Sequence, residues 1–157
     1  MLKQEALAQS GALYRLAARL MGNSADAEDV VQEAFVKAIT GLRRGAFRGD
    51  SSLSTWLYRV LTNVALDRLR QLKQQGVADP QPGTGPASSS NPDAAVALRE
   101  LADAMKELPE DQRAALVLKE VQGLPTREVA SILERSEGAT EQLLVRARET
   151  LRRRLES

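Results

Sequence analysis

The sequence predicts an all-α protein of two small helical domains joined by a flexible linker, with a helix-turn-helix in the second. Three observations predict it. Apolar residues recur at the helical period through most of the chain, and no stretch shows the alternation of a half-buried strand. Residues 76–92, GVADPQPGTGPASSSNP, lack that period and hold four of the six prolines, a composition that does not pack. Beyond them a short helical pattern, a tight turn and a longer helical pattern follow one another in helix-turn-helix spacing. The predicted division is therefore 1–75, linker 76–92, and 93–157.

The first domain reads as three helices. Leu13, Leu16, Ala17 and Leu20 give the first, which Gly22 and Asn23 close. Ala27, Val30, Val31, Ala34, Phe35, Ala38 and Leu42 give the second, with Ser24 as its N-cap and Asp26, Glu28 and Asp29 at the positive end of its dipole. The stretch 41–52, GLRRGAFRGDSS, has three glycines and reads as a loop. Leu53, Trp56, Leu57, Val60, Leu61 and Val64 give the third helix.

In the second domain Asn91-Pro92 is an N-cap followed by proline at the first helical position, ahead of a stripe of Leu98, Leu101, Met105 and Leu108. Another helix follows Pro109 and stops near Gly123. A short helix from about Pro125 to Leu133 and a longer one from about Glu137 to Leu155, capped by Ser136, complete the fold. No internal repeat with a period of about 20–50 residues is present.

Composition narrows the chemistry. The chain has 157 residues with neither His nor Cys, which excludes Ser-His-Asp and Cys-His nucleophiles, the usual zinc ligand sets and a disulfide framework. No secretory signal or span of about 20 apolar residues is seen, so a cytoplasmic protein without membrane insertion is expected. No cofactor or metal is expected either. The 22 basic and 21 acidic residues are unevenly placed: 11 against 7 before the linker and 11 against 13 after it. All five aromatics, Tyr14, Phe35, Phe47, Trp56 and Tyr58, precede the linker.

Three surfaces carry the candidate function. On a wheel of about 100° per residue with Asp29 at the origin, Asp26 lies at about 60°, Glu33 at about 40° and Gln32 at about 300°, opposite the apolar stripe. That acidic face suits a protein partner, though an ordinary solvated helix face has the same pattern. Arg43, Arg44, Arg48, Arg59, Arg68, Arg70 and Lys73 interleave with Phe47, Trp56 and Tyr58, the mixture of cations and aromatic faces that binds unstacked bases and phosphates. Trp56 also lies in an apolar stripe, where it fits a core role equally well. The last helix would present Glu137, Thr140 and Glu141 to the major groove, with Arg146, Arg148 and Arg152 to Arg154 behind. Glutamates near phosphates are unfavourable unless they accept from cytosine amino groups. A four-helix protein-interaction domain accounts for this region as well.

The segments DAEDVVQEAFVKA (26–38), FRGDSSLSTWLYRVLTNVALDRLR (47–70) and LPEDQRAALVLKEVQGLPTREVASIL (108–133) closely resemble the extracytoplasmic-function sigma factors of the bacterial sigma-70 family. Three long motifs in order across nearly the whole chain make that resemblance specific. It implies a sigma region 2 domain that binds core RNA polymerase and melts the minus-ten element, and a sigma region 4 domain that binds the minus-thirty-five element. Asp26, Asp29, Gln32 and Glu33 would dock on the clamp helices of the largest subunit, and the second domain on the flap region. Phe47, Arg48, Asp50 and Ser51 would form the loop that receives a flipped nontemplate base. Trp56, Arg59, Asn63, Asp67 and Arg68 would meet the minus-ten DNA. Arg127, Arg135, Ser136, Glu137, Thr140, Glu141, Arg146 and Arg148 would serve the minus-thirty-five element. An anti-sigma factor would regulate the protein and could hold it at the membrane.

The last helix departs from the commonest family pattern, G-T-V-K-S-R-L-H-R-A-R, because Glu141 and Leu143 replace a Lys and an Arg in the run from Gly138 to Arg148. Some members share this G-A-x-E-x-L-L-x-R-A-R form, which implies a subgroup with different promoter reading. The resulting expectation is a dissociable initiation subunit that is not itself an enzyme. The alternatives are a stand-alone helix-turn-helix regulator, which would bind duplex DNA without polymerase, and a sigma mimic that occupies an anti-sigma factor.

Overall fold

A computed structural model describes residues 2–76 and 91–156, and these are helical with no strands. Most of the predicted linker, 77–90, lies outside the described residues. The elements in chain order are α1 (Leu2–Ala8), α2 (Ser10–Met21), α3 (Ser24–Arg43), α4 (Leu53–Gln74), α5 (Pro92–Lys106), α6 (Glu110–Leu116), a π-helical turn (Val117–Val121), α7 (Thr126–Leu133) and α8 (Glu137–Glu156).

Four helices precede the linker, where periodicity predicts three. The additional α1 has seven residues and buries only Ala6, so it is too short to show a period. Helix α2 ends as predicted at Gly22, whose φ of 81° lets its N–H return to the Ala18 carbonyl. The cap of α3 is Asn23 and not Ser24: the Asn23 Oδ1 accepts from the Asp26 N–H at 2.8 Å, while its Nδ2 donates to the Asp26 carboxylate at 2.8 Å. Asparagine caps as well as serine, and this reciprocal pair fixes the helix start one residue earlier.

Helix α3 runs into the predicted loop as far as Arg43. Gly41 is helical, and a Cβ there would stand 3.2 Å from the Trp56 ring, so glycine serves close packing at this position. Ser52 caps α4, its Oγ accepting from the Thr55 N–H at 3.1 Å.

After the linker the Asn91 cap and Pro92 start of α5 are as predicted. The predicted stripe on α5 is only partly core: Leu108 is buried, but Leu98 and Leu101 are exposed. The helix seats its C-terminal half through Ala104 and Met105. The helix after Pro109 loosens into the π turn, where the Gln122 N–H reaches the Val117 carbonyl at 2.9 Å, and ends before Gly123.

The helix-turn-helix stands where predicted. Arg135 N–H bonds to the Ala130 carbonyl at 3.0 Å and Glu134 takes φ 57°, a left-handed closure of α7. The Ser136 Oγ then accepts from Ala139 N–H at 3.1 Å and starts α8.

One apolar core runs through all of this. Leu13, Leu16, Leu20, Leu57 and Leu61 from the first half join Leu118, Val129, Ile132 and Leu144 from the second. Helix α4 is the shared element, packing on α2 and α3 on one side and on α6 and α7 on the other.

Candidate functional site

The acidic face forms because α3 buries Ala27, Val30, Ala34 and Ala38, which leaves the opposite side to solvent. Asp29, Gln32 and Glu33 are exposed on it. Asp26 is less free, since its carboxylate is held by Asn23 and faces Arg68 at 3.6 Å. Arg68 also stands 3.9 Å from Asp29, and Glu33 pairs with Lys37 at 3.3 Å. Predicted as a DNA residue, Arg68 is thus set beside the carboxylates of the acidic face. Such half-exposed ion pairs contribute about 0–1 kcal/mol each, so they orient the surface more than they stabilise the fold.

The loop after α3 and the first turns of α4 form a cleft lined by Ala46, Phe47, Arg48, Asp50, Ser51, Trp56 and Arg59, with Ser131 of α7 at its edge. The Phe47 and Trp56 rings lie 5.6 Å apart, tilted by 54°. Trp56 is half-buried and packs against the core over Gly41, and the same ring lines the cleft. Arg48 and Asp50 are exposed at the rim. The arrangement offers an aromatic wall, a cation for phosphate, and carboxylate and hydroxyl acceptors for base edges.

Further along α4, Asn63 and Asp67 are exposed, and Asp67 faces Arg70 at 3.6 Å. Arg59 points to the second half of the molecule. Its Nε donates to the Ser131 carbonyl at 3.2 Å and its Nη2 to the Ser131 Oγ at 2.6 Å.

On the helix-turn-helix, Arg127, Glu137, Glu141 and Arg146 are exposed. Ser136 is occupied as the cap of α8. Arg135 donates to Asp111 at 2.9 Å and Arg148 pairs with Glu120. Thr140 is fully buried, its hydroxyl donating to the Ser136 carbonyl at 2.8 Å, so the exposed face of α8 is built without it. Leu143 is buried in the core.

Sequence reasoning passed over Arg113. Its side chain is 7% exposed, and it donates from Nη1 to the Leu20 carbonyl at 2.9 Å and from Nη2 to the Lys106 carbonyl at 2.6 Å. Burial lowers its pKa from the ordinary arginine value, and the nearby Glu110 carboxylate works in the opposite direction. The only signal in the sequence was its place among apolar neighbours in QRAALVL, since a charged residue at a core register needs a buried acceptor. Among the described residues no cluster of His, Cys, Asp or Glu could hold a metal ion, and no helix is long and apolar enough to cross a membrane.

Residues 8–75 match the Sigma-70 region 2 family and residues 98–151 the Sigma-70, region 4 family. The ECF RNA polymerase sigma factor SigW of Bacillus subtilis is 33% identical over 156 residues, covering 91% of this chain and 82% of that protein. The ECF RNA polymerase sigma-E factor of Escherichia coli is 35% identical over 144 residues, covering 82% of this chain and 73% of its own length. Among solved structures, the sigma factor RpoE in complex with the anti-sigma factor NepR from Bartonella quintana aligns with a TM-score of 0.78 at 28% identity, over 98% of this chain and 96% of that one. CnrH in complex with the cytosolic domain of CnrY aligns with a TM-score of 0.69 at 27% identity, over 98% and 87%. With both sigma-70 regions in order on an all-α fold, and relatives of this identity matched over most of their length, the chain belongs to the extracytoplasmic-function sigma factors of bacterial RNA polymerase.

Proposed function

We propose that the chain carries out its family's role, directing core RNA polymerase to specific promoters and helping to open them, through three surfaces of its own. Residues 1–75 serve as the region 2 domain, 76–92 as a flexible linker and 93–157 as the region 4 domain. Asp29 and Glu33, with Gln32 beside them and Asp26 behind, dock on the clamp helices of the largest subunit. Arg68 supports this face by holding Asp26 and Asp29 in position.

The cleft between Phe47 and Trp56 receives a base from the nontemplate strand. Extruding a base costs a few kcal/mol. Stacking on an aromatic side chain returns about 1–3 kcal/mol per base. Stacking therefore offsets most of the cost, and Arg48 on phosphate with Asp50 and Ser51 on the base edge supplies the remainder. Arg59, Asn63 and Asp67 continue the track along α4.

On α8, Glu137 and Glu141 read the minus-thirty-five element by accepting from cytosine amino groups, while Arg127 and Arg146 meet the backbone. Arg135 and Arg148, held by Asp111 and Glu120, flank that surface. The protein supplies recognition and strand separation, and polymerase supplies the nucleotidyl chemistry, so the chain is not an enzyme. It acts in the cytoplasm with core polymerase. Because RpoE and CnrH are held by NepR and CnrY, this chain takes an anti-sigma factor of its own, which can keep it at the membrane. Matches to both regions favour this reading over a stand-alone regulator or a mimic.

The observation that carries the proposal is the Phe47–Trp56 pair walling a cleft with Arg48, Asp50 and Ser51. Run-off transcription with purified core polymerase on a genomic fragment library is the test. A discrete set of starts dependent on this protein is expected, and unchanged transcripts in its presence would refute the proposal.

A further inference from the structure

We infer, resting on the reading of α8 as the helix that meets the minus-thirty-five element, that Gly138, Gln142 and Val145 are its specificity-determining stripe. Gln142 takes an adenine, Val145 packs on a thymine methyl at a neighbouring pair, and Gly138 lets the start of the helix come close to the DNA.

Burial fixes which side of α8 faces outward. The helix buries Thr140, Leu143, Leu144 and Ala147. On a wheel of about 100° per residue with Glu141 at the origin, these four lie between about 200° and 300°. The opposite direction is at about 70°, bracketed by Val145 at about 40°, Gly138 at about 60° and Gln142 at about 100°. All three are exposed. Glu141 at the origin and Arg146 at about 140° stand on the flanks of this face. Glu149, at about 80°, continues the line beyond the N-terminal part of the helix, which is the part that reaches base edges in a helix-turn-helix. The centre of the reading face is therefore held by a glycine, an amide and an apolar side chain.

Packing within the protein does not account for that centre. Val145 is 59% exposed, and a β-branched residue forms helix less readily than the Ala, Lys or Glu that a solvent-facing position favours. Gly138 has no positive φ, and a Cβ there would meet nothing within 4 Å, in contrast to Gly41. Alanine would fit this position and favour the helix. Glycine instead serves an approach from outside, because a backbone without a side chain can come close to a ligand.

The chemistry of the two side chains names the bases. In the major groove adenine presents N7 as an acceptor and its N6 amino group as a donor, which a glutamine amide matches with one N–H and one carbonyl. Thymine presents a C5 methyl, which an apolar side chain covers. Gln142 and Val145 are three residues apart, a rise of about 4.5 Å, against about 3.4 Å for one base-pair step. They therefore reach neighbouring base pairs. With Glu141 on a cytosine amino group at the flank, the element read by this chain holds adenine, thymine and cytosine in one short run.

Holoenzyme assembled from the full chain and purified core polymerase is passed through selection on a random-sequence duplex library, and the free full-length chain through the same rounds. An adenine and a neighbouring thymine are expected in the enriched upstream element. Gln142→Ala is expected to lose at least about fivefold of the preference at the adenine alone. Val145→Ala is expected to lose about fourfold at the thymine alone, the worth of one buried methyl group. On the enriched site, uracil in place of that thymine removes only the methyl, and 7-deazaadenine in place of the adenine removes only the N7 acceptor. Each analogue is expected to weaken binding by the parent and to leave the matching variant unchanged, a coupling that loss of helix stability does not produce. Gly138→Ala is expected to raise the urea midpoint while weakening binding to the enriched site.

Preferences that survive in Gln142→Ala and Val145→Ala, or analogues that weaken parent and variants alike, would overturn the stripe and leave the sigma-factor reading in place. Gly138→Ala that binds as tightly as the parent would overturn the close approach. If the free chain alone enriches a site with the same dependences, the stripe stands and the promoter assignment falls. No enriched upstream element in either selection overturns the stripe as well.

Discussion

Asp29 and Glu33 project from α3 with no part in the core, so changing them tests docking and, beside it, only their exposed pairings with Arg68 and Lys37. Reversing both to Lys is expected to weaken capture by core polymerase at least tenfold, equivalent to about 1.4 kcal/mol or more. The fold should lose no more than about 2 kcal/mol, since each reversal also removes a half-exposed ion pair, with Arg68 or Lys37, worth about 0–1 kcal/mol. A pull-down with core and a urea titration check the two halves of that statement. In the proposed function Phe47 and Arg48 act later in the process. Phe47→Ala and Arg48→Ala are expected to leave closed-complex binding largely intact while lowering permanganate reactivity of the melted strand, because removing one stacking wall forfeits about 1–3 kcal/mol only once the base is out. Normal reactivity in both variants would contradict the assignment of the cleft.

Helix starts decide how these side chains are presented. Asn23, Ser52 and Ser136 each cap a helix that carries a proposed contact surface. Ser136→Ala removes the acceptor for the Ala139 N–H and is expected to cost about 1 kcal/mol. The cost should fall on the first turn of α8, where Glu137 and Glu141 project. Amide exchange at Ala139 should rise, and affinity for the minus-thirty-five element should fall with it. Unaltered exchange would mean that the cap is replaced by water. The π turn at Val117–Val121 is a second feature of this scale: its wider bond pattern places Val117 and Leu118 inward while Lys119 is half-buried and Glu120 exposed.

Across the whole molecule, α4 makes the two halves one structure. Leu61 is fully buried at its middle. Leu61→Ala is expected to cost about 2–5 kcal/mol through lost burial and the cavity left behind. Because the core is continuous, protection in α8 should fall along with protection in α2. Hydrogen exchange measured on both helices checks this, and a loss confined to α2 would show that the halves are energetically separate. The tertiary arrangement also joins residues that the linear order keeps apart, with Arg68 of α4 beside the carboxylates of α3 and Arg59 against α7.

The sequence by itself determined the helices and most of their ends, because periodicity, caps and glycine stops are local signals that neighbours within a few residues enforce. The Gly22 stop, the Asn91-Pro92 start and the Ser136 cap all stand where that chemistry places them. It also determined the acidic face of α3, since a helix that buries Ala27, Val30, Ala34 and Ala38 has no other side on which to carry Asp29 and Glu33. Only the tertiary structure decided what the arginines do. A guanidinium reads alike in sequence whether it awaits a phosphate or a carbonyl, and its partner is chosen by what packing brings within about 3 Å. Packing gave Arg113 the ends of α2 and α5, Arg59 the end of α7, and Arg68 the carboxylates of α3. For the same reason Thr140, polar and well placed on a wheel, lies in the core, while Leu98 and Leu101, apolar and in register, remain outside it.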